Sequence, residues 1–245
     1  MSIASDDNNI KLWNLKNYEC LYNFNNINEN GYLYSACFLN DNNNNYIITT
    51  NCAWKGISEP IKFFDFNGNK IKEMNNSKEK TYFVDVFYDQ NSSINYLITG
   101  HQGHVKSYNC KTNNIYRRYS DYDNKDHDCI IVNNYNETII LIETGDDGYI
   151  RIWNFYSAKL MNKIKDCDCD LYGMCLWDND YLFYGCEEKV IKILDLKKGK
   201  IIKTLKGHKN WVITMRKINH PNYGECLVSQ DSGKGQIKLW INKNE

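Results

Sequence analysis

One short pattern returns six times along these 245 residues. IKLWNL (10–15) reappears as IKFFDF (61–66), VKSYNC (105–110), IRIWNF (150–155), IKILDL (191–196) and IKLWIN (237–242). The fourth positions are Trp13, Phe64, Tyr108, Trp153, Leu194 and Trp240, in steps of 51, 44, 45, 41 and 46 residues. A chain that repeats itself at such a period is built from supersecondary units, none of which buries its apolar face alone.

Each unit reads as four short strands. In the fifth they are LYGMCLW (171–177), YLFYGC (181–186), VIKILDL (190–196) and KIIKTL (200–205), separated by DND, EEK and KKG. Such separators are turn chemistry, and the segments between them are β-branched and aromatic. Helical spacing is not sustained for 12 residues anywhere, which excludes a doubly wound α/β fold. A period in the forties with four strands indicates propeller blades. The first unit lacks a first strand and the sixth lacks a fourth, so 22 strands are expected where six closed blades need 24 and seven need 28. The expectation is one all-β propeller domain over 1–245, with six blades visible, two of them ragged: a six-bladed ring or a fragment of a seven-bladed one.

The units resemble the WD-repeat β-propeller family. The dipeptides Trp13-Asn14, Phe64-Asp65, Tyr108-Asn109, Trp153-Asn154, Leu194-Asp195 and Trp240-Ile241 stand where that family ends its third strand on Trp-Asp. Gly207-His208 stands where it has Gly-His, and Asp7 and Asp147 stand where it has a turn Asp. The resemblance implies a buried network of His, Ser/Thr, Asp and Trp within a blade. It assigns His127, Thr144, Asp147 and Trp153 to the fourth unit, and His208, Ser229 and Trp240 to the sixth. In the sixth, Lys234 replaces the turn Asp and Asp231 is the substitute. These residues are read as structural rather than as an acid–base pair.

The remaining observations narrow the function. Lys and Arg number 30 against 30 Asp and Glu, a net charge of +0, which excludes a globally basic nucleic-acid binder. No run of about 18 apolar residues occurs, so no membrane span is expected. MSIASDDNNIKLW lacks a charged-then-apolar leader. The 10 Cys then read as reduced thiols of a cytoplasmic protein, without excluding the nucleus. The 36 Asn supply residues that tolerate left-handed turns. Charge is uneven: residues 121–185 hold 5 Lys/Arg against 13 Asp/Glu, a net of −8, and residues 186–245 hold 13 against 6, a net of +7.

No G-x-S-x-G, P-loop or H-E-x-x-H is present, and no enzyme activity, cofactor or small-molecule substrate is expected. His101, His104, His127, Cys129, Cys167 and Cys169 lie in loops of one face, but C-x-C with scattered His is not a zinc spacing, so no metal is assigned. Aromatic residues of the loops before first strands and between second and third strands carry the binding signal. Tyr32, Trp54 (in the long connection NCAWKGISEP), Tyr82, Tyr172 and Trp211, with His101, form the expected partner-binding set. The function expected is a non-catalytic scaffold for protein–protein interaction. The alternative is an RNA-associated scaffold that uses the basic 186–245 sector.

Overall fold

A computed structural model describes residues 2–3, 9–14, 16–24, 32–41, 44–52, 60–74, 79–121, 125–233 and 235–241. The protein is all-β, of the propeller kind built from four-stranded antiparallel blades. Its contacts divide it into two compact units, Met1–His127 and Asp128–Glu245. No helix among the described residues is long and apolar enough to cross a membrane.

The first unit holds the sheet β1 (Ser2–Ile3), β2 (Ile10–Trp13) and β3 (Cys20–Phe24). Next comes the four-stranded sheet β4 (Tyr32–Asp41), β5 (Asn44–Cys52), β6 (Ile61–Phe64) and β7 (Lys70–Met74). The third comprises β8 (Thr81–Asp89), β9 (Ile94–His101), β10 (His104–Asn109) and β11 (Ile115–Tyr119). The second unit has β12 (His127–Tyr135), β13 (Thr138–Gly145), β14 (Tyr149–Asn154) and β15 (Leu160–Lys165) in one sheet. It continues with β16 (Leu171–Trp177), β17 (Tyr181–Cys186), β18 (Val190–Asp195) and β19 (Lys200–Lys206). It ends with β20 (Val212–His220), β21 (Gly224–Asp231) and β22 (Ile237–Ile241), a sheet of three. Every strand pairs antiparallel with its chain neighbour.

The turn after each third strand shows why Asn and Asp interchange behind the aromatic position. Asn14 Oδ1 accepts from Lys16 N at 2.9 Å, Asp65 Oδ1 from Asn67 N at 2.9 Å and Asn109 Oδ1 from Lys111 N at 2.9 Å. Asn154 Oδ1 accepts from Ser157 N at 2.9 Å and Asp195 Oδ1 from Lys198 N at 2.9 Å. The turn needs a carbonyl or carboxylate oxygen, not a charge. Each then closes on a left-handed residue: Tyr18, Gly68, Asn113, Ala158 and Gly199 have φ of 60°, 86°, 58°, 55° and 61°. The pairing of third with fourth strand also shifts register just before the aligned residue, at Trp13, Phe64, Tyr108, Trp153 and Leu194.

Apolar side chains alternate along the first three strands and meet between neighbouring sheets. Ile48, Phe63, Val84 and Leu97 share one cluster in the first unit. Ile142, Ile152, Met174 and Leu182 share one in the second. Each such burial contributes about 1.5–3 kcal/mol. Fourth strands are solvent-exposed over most of their length, β19 with the pattern KIIKTLK. Glycine sets the closest approach in the second unit: a Cβ on Gly185 would stand 2.0 Å from Val212 O, and one on Gly173 2.6 Å from Ile213 O. β16 and β17 therefore lie directly on β20.

One cysteine expectation is corrected. Cys167 and Cys169 form a disulfide in the loop before β16, because two residues of reversal bring their Cα atoms to 5.4 Å. Cys20, Cys37, Cys110, Cys129, Cys175, Cys186 and Cys226 are free thiols. Burial pushes the Cys37 thiol well up, an inert packing residue rather than a nucleophile.

Candidate partner-binding site

The glycine contact at β16 and β20 fixes an aromatic pair. Tyr172 is the second residue of β16, and Trp211 immediately precedes β20. Their rings are stacked, with centroids 6.1 Å apart and planes 18° apart. Trp211 is 45% exposed, and Tyr172 is half-buried. Ser232 N donates to Trp211 O at 2.8 Å, which anchors the Trp211 backbone. Tyr172 Oη donates to Asp170 Oδ2 at 3.2 Å, and Glu187 N donates to Asp170 O at 3.2 Å. Burial, then the carboxylates of Asp170, Glu187 and Asp146, push the Tyr172 hydroxyl up, so it stays a donor.

Tyr82 and His101, two further members of the expected set, are buried in the first unit. Tyr82 is buried, at 8% exposure, because the β8–β9 register skips it and its ring packs edge-on against Tyr34, 5.7 Å away. The exposed ring of that pair is Tyr34, which sequence reasoning missed. His101 is 0% exposed. It shares a face with Thr99, two residues earlier on the strand, and its Nε2 meets Thr99 Oγ1 at 2.7 Å. Tyr32 lies in β4, and Trp54 falls outside the described residues.

The blade networks are as follows. In the last sheet Trp240 Nε1 donates to Ser229 Oγ at 2.8 Å, and Ser229 Oγ lies 2.7 Å from His208 Nε2. His208 Nδ1 lies 3.2 Å from Asp231 Oδ2. With the Ser229 proton directed at Nε2, Nδ1 carries the imidazole proton and donates it to Asp231. Burial alone would raise the Asp231 carboxyl, but N–H bonds from His208, Lys209 and Gly233 hold it below the ordinary carboxylate range.

The fourth unit departs from its expected network. Trp153 Nε1 donates to Glu143 Oε1 at 2.9 Å, not to Thr144. The register explains this: Glu143 pairs with Arg151, two residues before Trp153, whereas Thr144 pairs with Ile150 and faces the other way. Asp147 holds the buried Arg151 guanidinium through both carboxylate oxygens. His127 is buried as the first residue of β12.

Glu79, His101 and His104 are the group of metal-ligand types that converges among the described residues, with ligand atoms within 4.8 Å of one another. Glu79 Oε2 lies 3.3 Å from His104 Nε2 and 3.9 Å from His101 Nδ1. The Lys106 ammonium, however, is bonded to that same Oε2. His101 Nδ1 donates to Lys80 O at 3.0 Å while its Nε2 accepts from Thr99. The carboxylate already has its cation and both His101 nitrogens are used, so the group is a polar blade network. Burial, then the charges of His104 and Lys106, lower His101 to about 3, so it is neutral.

A repeated cation was also missed. The second position of all six third-strand segments is basic: Lys11, Lys62, Lys106, Arg151, Lys192 and Lys238. Lys106 meets Glu79, Arg151 meets Asp147, and Lys192 meets Asp166 at 2.9 Å and Glu188 at 2.6 Å. The signal was the repetition itself, in a position that otherwise alternates toward apolar neighbours.

The WD domain, G-beta repeat family matches residues 199–240. Similar proteins include a bromodomain and WD repeat-containing protein of Dictyostelium discoideum, 31% identical over 39% of this chain and 4% of that protein. The U3 small nucleolar RNA-associated protein 21 homolog of Schizosaccharomyces pombe is 24% identical over 59% of this chain and 16% of its own. WD repeat and SOCS box-containing protein 1 of Danio rerio is 31% identical over 32% of this chain and 19% of its own. The chain thus spans less than a fifth of the length of each. The family match thus covers the last of the six repeats, and the proteins similar to this chain include WD repeat-containing ones.

Proposed function

We propose that this protein is a non-catalytic scaffold whose six sheets act as propeller blades, and that a partner protein docks on Tyr172 and Trp211. The observation that carries the reading is the stacked, solvent-facing pair on a backbone held rigidly by Gly173 and Gly185. Aromatic side chains on a fixed frame lose little entropy on binding and dominate interface energies. The bonds of His101, Glu79, His208 and Asp231 within their own sheets support a structural role for these groups.

A photo-crosslinking residue at position 211, compared with one at Tyr223, tests this. Tyr223 is exposed beyond the other end of β20, where Tyr223 N donates to His220 O at 3.3 Å. Discrete protein adducts from position 211 alone support the reading; adducts from position 223 alone overturn it.

The RNA reading is favoured by the similarity to the U3 small nucleolar RNA-associated protein 21 homolog of Schizosaccharomyces pombe. Against it, Lys192, Lys197, Lys198 and Lys217 of the basic sector are paired to carboxylates of this chain. Filter binding of single-stranded RNA at rising salt separates the two, since phosphate contacts weaken steeply with salt.

A further inference from the structure

We propose that the Tyr172–Trp211 site receives an arginine of a basic segment in the partner protein. This rests on the docking reading above and names its ligand chemistry. Three turns bring carboxylates to one phenol: Asp146 between β13 and β14, Asp170 before β16, and Glu187 between β17 and β18. Asp170 accepts from Tyr172 Oη at 3.2 Å. No Lys or Arg forms an ion pair with Asp170 or Glu187 among the described residues, whereas Asp166, Asp168 and Glu188 nearby all have one. The patch therefore sets aromatic faces beside Asp170 and Glu187, two carboxylates without a Lys or Arg ion pair among the described residues. The exposed Lys209, two residues before Trp211, is the nearest cation along that loop and donates its backbone N–H to Asp231 at 3.4 Å.

A cation is the complement of both features, because ring faces and carboxylates attract the same charge. Arginine fits better than lysine. Its guanidinium is flat, stacks on an indole face and donates two parallel bonds to one carboxylate, while an ammonium is a strongly hydrated point charge. Trp211 offers the open face, and Asp170 and Glu187 offer the acceptors.

The test uses fluorescence anisotropy of the full chain with a labelled Gly-Arg repeat heptapeptide, its lysine analogue and its citrulline analogue. Citrulline keeps the shape and removes the charge. The arginine peptide binds tighter than lysine by at least about threefold and than citrulline by at least about tenfold. Asp170→Asn with Glu187→Gln preserves the Tyr172 bond and weakens the arginine peptide at least about tenfold. Trp211→Ala removes binding while the melting temperature is unchanged. Equal binding of the citrulline peptide, no loss in the double variant, or no binding of the arginine peptide overturns the proposal. Crosslinks from position 211 to partners whose docked segments lack arginine also overturn it, and leave the docking reading standing.

Discussion

The sheets β8–β11 and β20–β22 solve one problem with exchanged parts. Each has a hydroxyl on its second strand opposite the basic residue of its third: Thr99 opposite Lys106, Ser229 opposite Lys238. Each has an aromatic two residues on that shares the hydroxyl's face, Tyr108 or Trp240, and Trp240 Nε1 donates to its hydroxyl at 2.8 Å. In the last sheet the loop before the first strand supplies His208 and the second strand supplies Asp231. In β8–β11 the corresponding loop supplies a carboxylate, Glu79, and the second strand supplies His101. The consequence is electrostatic. Asp231 is bonded to its histidine, whereas Glu79 turns to Lys106 and leaves His101 to a backbone carbonyl. What recurs is polar satisfaction of a buried site, not residue identity.

The largest expected effect separates the two aromatics. Tyr108→Ala costs about 3–5 kcal/mol, as for other buried aromatic truncations. Trp240→Ala costs less, because Trp240 is half-buried on an edge strand. Denaturant melting that ranks them the other way breaks the correspondence. The shared hydroxyls come next. Thr99→Val and Ser229→Ala each strand a buried imidazole nitrogen and cost about 1–3 kcal/mol. Loss at one sheet alone, read by amide exchange in β9 and β21, shows that the two networks are not equivalent.

Acid sharpens the contrast. His101 titrates at about 3 in the fold against an ordinary 6.5, so within that window the unfolded chain binds a proton that the folded chain refuses. Stability present above the upper value falls as pH drops, by up to about 1.4 kcal/mol per pH unit. Asp231 is lowered below its ordinary 3.8, so its contribution persists until pH falls through the carboxylate range. Amides of β9 lose protection between pH 6.5 and 4 and those of β21 do not; His101→Gln removes the difference. The smallest effect lies outside both networks. Ala158→Gly relieves a left-handed φ of 55° and stabilises by up to about 1 kcal/mol, and a lower melting temperature contradicts the turn geometry.

The repeat was legible because a strand period of 2 and a unit period in the forties are both written in residue type. Position within a strand was less so. Thr144 looked like the hydroxyl of its network, but one residue of register sends it to the opposite face and puts Glu143 beside Trp153. His101 reads as a loop residue between second and third strands, yet β9 extends to it and buries it. Tyr172 and Trp211 were legible as loop aromatics. Their stacking was not, because it depends on how Gly173 and Gly185 admit β20. Asp170 and Glu187 carry no sequence mark that distinguishes them from paired carboxylates such as Asp166.

The turns that close on Tyr18, Gly68, Asn113, Ala158 and Gly199 bear on how the chain folds. Each joins a third and a fourth strand through hydrogen bonds made within five residues of sequence, and all other strand pairs are also chain neighbours. Pairing within a sheet therefore needs only short loop closures, which lowers the contact order and speeds the search. A sheet gained or lost by duplication or deletion leaves the strand pairings of the others intact, so such a chain can change its number of repeats without relearning any one of them.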